Sequence, residues 1–301
     1  MSRPYRFGVQ GGPFTDPEAL AVHARQVESL GYAELWSYDH IGAVDPFAPL
    51  LAAALATKRL RVGPLVLNNE FHHPAFVART AATVDALTGG RLTLGWGTGY
   101  ALDEHTAIGV ELRPPRQRVE RLRESLGAVR ELLDTGAVQL DGAHHRLAVS
   151  DIGPRPVQSH LPFLIGGHGR RMVGLAARFA DIYQFTGLSH GADGAFDLGG
   201  FALAELDRRA EWLAEDAGDR EAEIERSALV QAVAVDDVES AAALPERFEL
   251  PAEVVADTPF VLAGSVAQII DKIGRLRERL GITHYVVRDP AAFAPVVAAL
   301  S

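Results

Sequence analysis

Apolar residues recur along this chain in two alternating rhythms: short apolar runs, and longer stretches with apolar positions three and four apart. That alternation predicts strands exchanging with amphipathic helices. Tyr5–Val9 is a first strand, stopped by Gly11-Gly12-Pro13. Asp16-Pro17-Glu18 supplies an N-cap and a first-position proline for a helix that Gly31 ends. Tyr32–Ser37 is a second strand leading into Tyr38-Asp39-His40, and Pro46–Thr57 a second helix. Leu60–Leu67 is a third strand. A polar, aromatic turn (Asn68–His73) follows, then a helix from Pro74 to near Leu87, a Gly89-Gly90 turn and a fourth strand at Leu92–Trp96. That strand runs into the glycine-dense loop Gly95-Trp96-Gly97-Thr98-Gly99-Tyr100.

In the second half, Val119, Leu122, Leu126, Val129 and Leu132 keep helical spacing within Gln117–Leu133. Leu140-Asp141-Gly142 marks a hairpin within Val138–Ser150. Phe163–Ile165 is a fifth strand, and Gly166–Arg170 turns into a helix ending near Phe179. Asp181–Phe185 is a sixth strand, Gly187–Gly200 a glycine-rich loop and Phe201–Asp216 a helix. Ile224–Val235 holds a seventh strand, and Asp236–Leu250 is a proline-interrupted helix. An extended piece at Pro259–Ala263 precedes a helix capped by Ser265 and closed by Gly281; Tyr285–Val287 is the eighth strand, before a C-terminal helix. An eightfold βα alternation predicts an α/β fold, a (β/α)8 barrel with small insertions, as a single domain over 1–301. A doubly wound open sheet is the alternative, but no clean GxGxxG follows the first strand.

Composition narrows the function. At 301 residues and 48% apolar content the chain can fill the core of a barrel, which needs about 250 residues. The formal net charge of −10 argues against a nucleic-acid or anionic-membrane partner and leaves a small molecule as the expected one. With no cysteine, disulfides, thiolate catalysis and cysteine-held metals are excluded. No early apolar run resembles a signal peptide and none reaches membrane-spanning length, so a cytoplasmic protein is expected. The 11 histidines show no metal-ligand spacing, and His72 and His73 are adjacent rather than four apart, so no metal site is expected.

Barrel ligands gather at the C-terminal ends of the strands, so the loops there hold the candidate chemistry. Ile165-Gly166-Gly167-His168-Gly169-Arg170-Arg171 follows a strand and opens a helix, where free N–H groups favour a phosphate; a plain tight turn with two surface arginines is the alternative. Asp39-His40, past the second strand, pairs a carboxylate with an imidazole able to exchange a proton near neutral pH, or is a turn Asp beside a packed His. The glycines of Gly95–Tyr100 permit close approach of a flat ligand, and Asp103 or Glu104 either bonds that ligand or caps the next segment.

These segments together resemble the luciferase-like monooxygenase superfamily, and within it the F420-dependent oxidoreductases of actinobacteria. The resemblance rests on Phe7–Gln10, Leu35–His40, Leu65–Pro74, Ala82–Arg91, Gly97–Tyr100, Ile165–Met172, Ala180-Asp181, Leu262–Ser265 and Leu280–Ile282, in that order. It implies a TIM barrel binding coenzyme F420, or FMN, at its mouth. Relatives often carry a non-prolyl cis peptide behind the cofactor ring, which maps to Leu65-Val66, with Asn68 beside it. The resemblance further implies that Asp39, His40, Gly99 and Tyr100 meet the ring. Ile165, Gly166, Gly167, His168, Gly169 and Arg170 would hold the phosphate. Phe14, Phe71 and His72 are the candidate substrate wall, and Gly187–Gly200 a lid.

The implied activity is hydride transfer between deazaflavin C5 and a small organic substrate, such as reduction of a C=C or C=N bond or oxidation of an alcohol. His40 would move the proton while Asp39 orients the ring or the imidazole. Two departures stand out. His168 occupies a position where glycine is frequent, and Tyr100 one where sugar-phosphate dehydrogenases carry glutamate, which argues against that reaction. An FMN-dependent monooxygenase and a non-catalytic flavin-binding protein are the alternatives. Relatives commonly form homodimers, and the same is expected here.

Overall fold

The computed structural model describes residues 3–190 and 196–301; residues 191–195 of the expected lid lie outside the described residues. The chain divides into two compact units that interleave in sequence. One comprises the chain up to Gly11, Arg25–Leu35 and Gly166–Ser301; the other comprises Gly12–Ala24 and Trp36–Ile165.

Through the first half, β1 (Arg6–Gln10), α1 (Pro17–Ser29), β2 (Glu34–Ser37) and α2 (Ala48–Leu55) alternate as expected. The third strand is not continuous. It breaks into β3 (Arg61–Pro64) and β4 (Leu67–Asn68) around a cis peptide between Leu65 and Val66. Then come α3 (Pro74–Thr88), β5 (Leu94–Gly97), α4 (Leu102–Ala107), α5 (Pro115–Thr135), the hairpin β6 (Val138–Asp141) and β7 (Arg146–Val149), and β8 (Phe163–Gly166). In the Trp36–Ile165 unit β4 pairs with β5 and β5 with β8, both parallel, while β6 and β7 are antiparallel.

The second half holds α6 (Arg170–Phe179), β9 (Ile182–Phe185), β10 (Ser189–His190), β11 (Phe196–Asp197), α7 (Leu203–Ala217) and β12 (Glu225–Leu229). It continues with β13 (Ala232–Val235), α8 (Val238–Phe248), α9 (Ala252–Asp257), β14 (Val261–Gly264), α10 (Val266–Leu280), β15 (Ile282–Val287) and α11 (Pro290–Leu300). Here β1 pairs with β15, β15 with β12, and β12 with β9, all parallel. The expected seventh strand is two: β12 belongs to this sheet, whereas β13 leaves it to pair with β14. Among the described residues no helix is long and apolar enough to cross a membrane.

Each unit has its own core. Trp36, Trp96 and Phe163 are fully buried in one, and Tyr183, Phe185, Phe201, Phe260, Tyr285 and Phe293 in the other. Buried carboxylates tie loops to these cores by accepting backbone N–H groups, which satisfies donors that irregular chain leaves unpaired. Asp85 of α3 accepts from Val157 N at 2.8 Å and Gln158 N at 3.1 Å. Glu124 of α5 accepts from the amides of Ala143, His144 and His145 at the hairpin tip. These bonds hold the Glu124 carboxyl below its ordinary range, against the opposing effect of its own burial. Inside the other unit, Arg6 forms an ion pair with Glu225 at 2.7 Å, and His284 Nε2 lies 2.7 Å from a Glu34 oxygen.

Beside the break in the third strand the chain approaches a glycine closely. A Cβ on Gly95 would lie 2.0 Å from Pro64 O, so β5 approaches the chain before the cis bond only because residue 95 has no side chain. Gly95→Ala is therefore expected to destabilise the protein by more than about 2 kcal/mol in urea unfolding. Gly127→Ala, in α5 where nothing lies within 4 Å of the added carbon, should stabilise it by about 0.5–1 kcal/mol. Equal effects of the two substitutions would refute this close-approach account.

Candidate functional site

The loops after β2, β4 and β5 converge within the Trp36–Ile165 unit. Leu65 N donates to Ser37 O at 3.0 Å, tying the cis bond to the end of β2. The chain then turns at Asn68, whose Oδ1 accepts from Glu70 N at 3.0 Å in a local side-chain turn. Asn68 Nδ2 lies 3.1 Å from Nε2 of the buried His105. Gly99 sits directly over this amide. Its φ is +74° and a Cβ there would lie 2.0 Å from Asn68 Oδ1, so both conformation and space demand glycine.

Two carboxylate–imidazole pairs stand on this frame, and they are crossed relative to sequence. Asp39 does not take its neighbour His40. Its Oδ2 accepts from His72 Nε2 at 2.7 Å and from Asn68 N at 2.8 Å. The partner of His40 is Glu104, at the start of α4: Oε1 is 2.7 Å from His40 Nδ1, and Oε2 accepts from Ile41 N at 3.0 Å. Of the two roles expected of Asp39, orienting the ring or the imidazole, the second is not seen, because Asp39 is bonded to His72 and not to His40. The two adjacent side chains thus find partners in different loops. A carboxylate at Nδ1 places the hydrogen there and leaves Nε2 to exchange a proton. Tyr100, 46% exposed, sets its hydroxyl 3.5 Å from that Nε2 and its ring edge-on at 5.8 Å.

The candidate wall residues fall differently. His72 is committed to Asp39. Phe71 packs on His105 with ring centres 4.7 Å apart, and Phe14 leans on Tyr38 at 6.1 Å.

Arginines that periodicity did not single out hold the loop backbones. From α5, Arg118 donates to Gly99 O, and Arg121 donates to Asn69 O and, at 3.1 Å, to His72 O. Arg121 and Arg113 also pair with Glu70, whose side chain is fully buried. Burial lowers the pKa of Arg118 and Arg121, and Glu70 opposes the shift in each. The available signal was the i, i+3 spacing of Arg118 and Arg121 on one helix face.

The other unit holds the glycine turn. Gly166 ends β8, and Gly169 is the N-cap of α6, where an added Cβ would meet nothing within 4 Å. The first amides of α6 point out of the helix without intrahelical acceptors. Tyr183 OH donates to Gly167 O at 2.8 Å, bracing the turn from below. The Arg170 guanidinium is engaged with Asp216, at 2.6 Å to Oδ1, and with Glu215 at 3.3 Å. What this turn offers an anion is therefore chiefly backbone.

A family model described as luciferase-like monooxygenase matches residues 2–252. The F420-dependent glucose-6-phosphate dehydrogenase of Amycolatopsis mediterranei is 34% identical over 179 residues, 56% of this chain and 54% of that protein. The 5,10-methylenetetrahydromethanopterin reductase of Archaeoglobus fulgidus is 30% identical over 176 residues, 58% of this chain and 51% of that one. The match thus spans about half the length of these relatives. The solved structure of an F420-dependent secondary alcohol dehydrogenase in complex with an F420-acetone adduct is similar over 99% of this chain and 100% of its own, with TM-score 0.79 and 19% identity. The fold is that of the luciferase-like TIM barrels, (β/α)8.

Arg121→Met removes one of two cations from buried Glu70 and frees two carbonyls. It is expected to cost about 2–4 kcal/mol in chemical denaturation. A loss below about 1 kcal/mol would mean that Arg113 alone suffices and the clamp is dispensable.

Proposed function

The chain belongs to the luciferase-like monooxygenase family, and we propose that it is an F420-dependent oxidoreductase moving a hydride between the deazaflavin and a small organic substrate. One observation carries this reading: a histidine held at Nδ1 by Glu104, with its Nε2 3.5 Å from a tyrosine hydroxyl. Relatives whose names specify F420 add support.

The loops of the Trp36–Ile165 unit would suit a flat ring. Leu65, Val66 and Asn68 would back the ring, and Gly99 with Tyr100 would meet it. Separately, the backbone of Ile165–Gly169 would take the phosphate. F420 when bound supplies a two-electron hydride carrier that, unlike reduced flavin, forms no oxygen adduct. His40 Nε2 gives or takes the accompanying proton, and Glu104 stabilises the imidazolium so formed. Asp39 acts on the frame, fixing His72 and the amide of Asn68 just past the cis bond. Phe14, Phe71 and His72 remain the proposed substrate-side residues, with His72 serving through its bond to Asp39.

The test is fluorescence titration of the purified protein with F420 and with FMN, each oxidised and reduced. Micromolar F420 affinity with weak FMN binding is expected. Preference for reduced FMN, followed by oxygen uptake, would replace this reading with a monooxygenase. His40→Ala should leave F420 affinity within a few fold and lower turnover at least about tenfold; unchanged turnover would remove His40 from the mechanism. Gly167→Asp sets an anion at the turn and should weaken F420 binding, and undiminished affinity would sink the phosphate assignment.

A further inference from the structure

Among the 29 basic residues of this chain only two are lysines, Lys58 and Lys272. Lys272, on α10, is 6% exposed. Its Nζ donates to Val261 O at 2.7 Å and to Val255 O at 3.2 Å. An ammonium has three N–H donors, so one remains for a ligand. Lys272 lines a cavity of about 460 Å³ bounded by α8, α9 and α10, a volume within the range of small-molecule sites. Its apolar wall includes Leu244, Pro245, Val255 and Ala263, and its polar side is Gln268, Asp271, Lys272 and Arg275. Lys272 and Arg275 also line a smaller neighbouring cavity of about 220 Å³ with Asp257 and Arg279. Arg279 is itself bonded to Asp207 of α7 at 2.9 and 2.6 Å.

An apolar wall facing one buried and one exposed cation selects an amphipathic anion. We propose that this groove is a second ligand site, distinct from the His40 cluster, taking a small monocarboxylate with an apolar body whose carboxylate is paired by Lys272 and Arg275. Arginine at position 272 would hold a permanent charge, whereas lysine can shed its proton while the site is empty and regain it with the ligand.

Burial pushes the Lys272 amine down to about 7, with Arg275 adding to the shift and Asp257 opposing it. Asp271 on the same helix and Asp257 on α9 are the acids at the site, and α8 contributes only apolar residues to the cavity wall. As pH rises through about 7 the empty site loses its ammonium. Carboxylate affinity should therefore fall with rising pH, and binding above that point should take up a proton.

The probe is sodium octanoate, followed by calorimetric titration at about pH 6 and about pH 9, with octan-1-ol as the uncharged control; octanoate stays ionised across that range, so a pH dependence lost in a Lys272 variant belongs to the amine. Saturable binding is expected at the lower pH, at least about tenfold weaker at the higher. Octanol should bind more weakly than octanoate at the lower pH. Lys272→Met should abolish the pH dependence. Arg275→Gln, an exposed substitution that leaves the two carbonyl bonds of Lys272 intact, should weaken octanoate several-fold and keeps the test decisive if the methionine variant fails to fold. No saturable binding by the wild-type protein, equal affinity for octanol, or unchanged octanoate affinity in Arg275→Gln would each overturn the proposal.

Discussion

Each of two carboxylates in the Trp36–Ile165 unit is claimed by one imidazole and one backbone amide, and the arrangement of the site follows from that double claim. Glu104 holds His40 Nδ1 and Ile41 N, so one side chain fixes both the tautomer and the chain that carries the ring. Asp39 holds His72 and Asn68 N, so the loop after the cis bond is tied to the end of β2. Hydrogen bonds to an ionised acceptor are about twice as strong as neutral ones. Two such bonds on one carboxylate also leave its neighbours few alternative positions. The result is a histidine with one nitrogen committed and the other available, the condition for general acid–base work.

The surrounding structure makes this tolerable. Loops rich in glycine and polar side chains would ordinarily be mobile. Here Arg118 and Arg121 reach from one face of α5 to the carbonyls of Gly99, Asn69 and His72, and buried Glu70 balances their charge. Arginine suits the task because its planar fork spans several acceptors at once. Asn68 then fills the space that Gly99 leaves open, joining the loop after β4 to the loop after β5.

Local signals were legible and long-range ones were not. Ser265 caps α10 as its position predicts and forms a full capping box with Gln268; Pro74 opens α3; the hairpin signal at Leu140–Gly142 falls between β6 and β7. Each depends on residues a few positions apart. Apolar periodicity does not show the break between β3 and β4, where Gly95 of another strand comes close; the family resemblance is what places a cis peptide at Leu65-Val66. Reading Asp39 and His40 as one unit failed for a related reason: their partners lie 33 and 64 residues away. Glu104 was visible as a candidate, but whether it capped a segment or bonded a ligand had no local answer. Within the chain it holds His40 Nδ1 and the amide of Ile41.

The central claim is that Glu104, and not Asp39, orients His40. Nitrogen-15 NMR of the histidine side chains tests it most directly, in the wild-type protein and in Glu104→Gln and Asp39→Asn. The account predicts that Glu104→Gln alters the tautomer and titration of His40 and leaves His72 unchanged, while Asp39→Asn does the reverse. A response of His40 to Asp39→Asn, with none to Glu104→Gln, would contradict it.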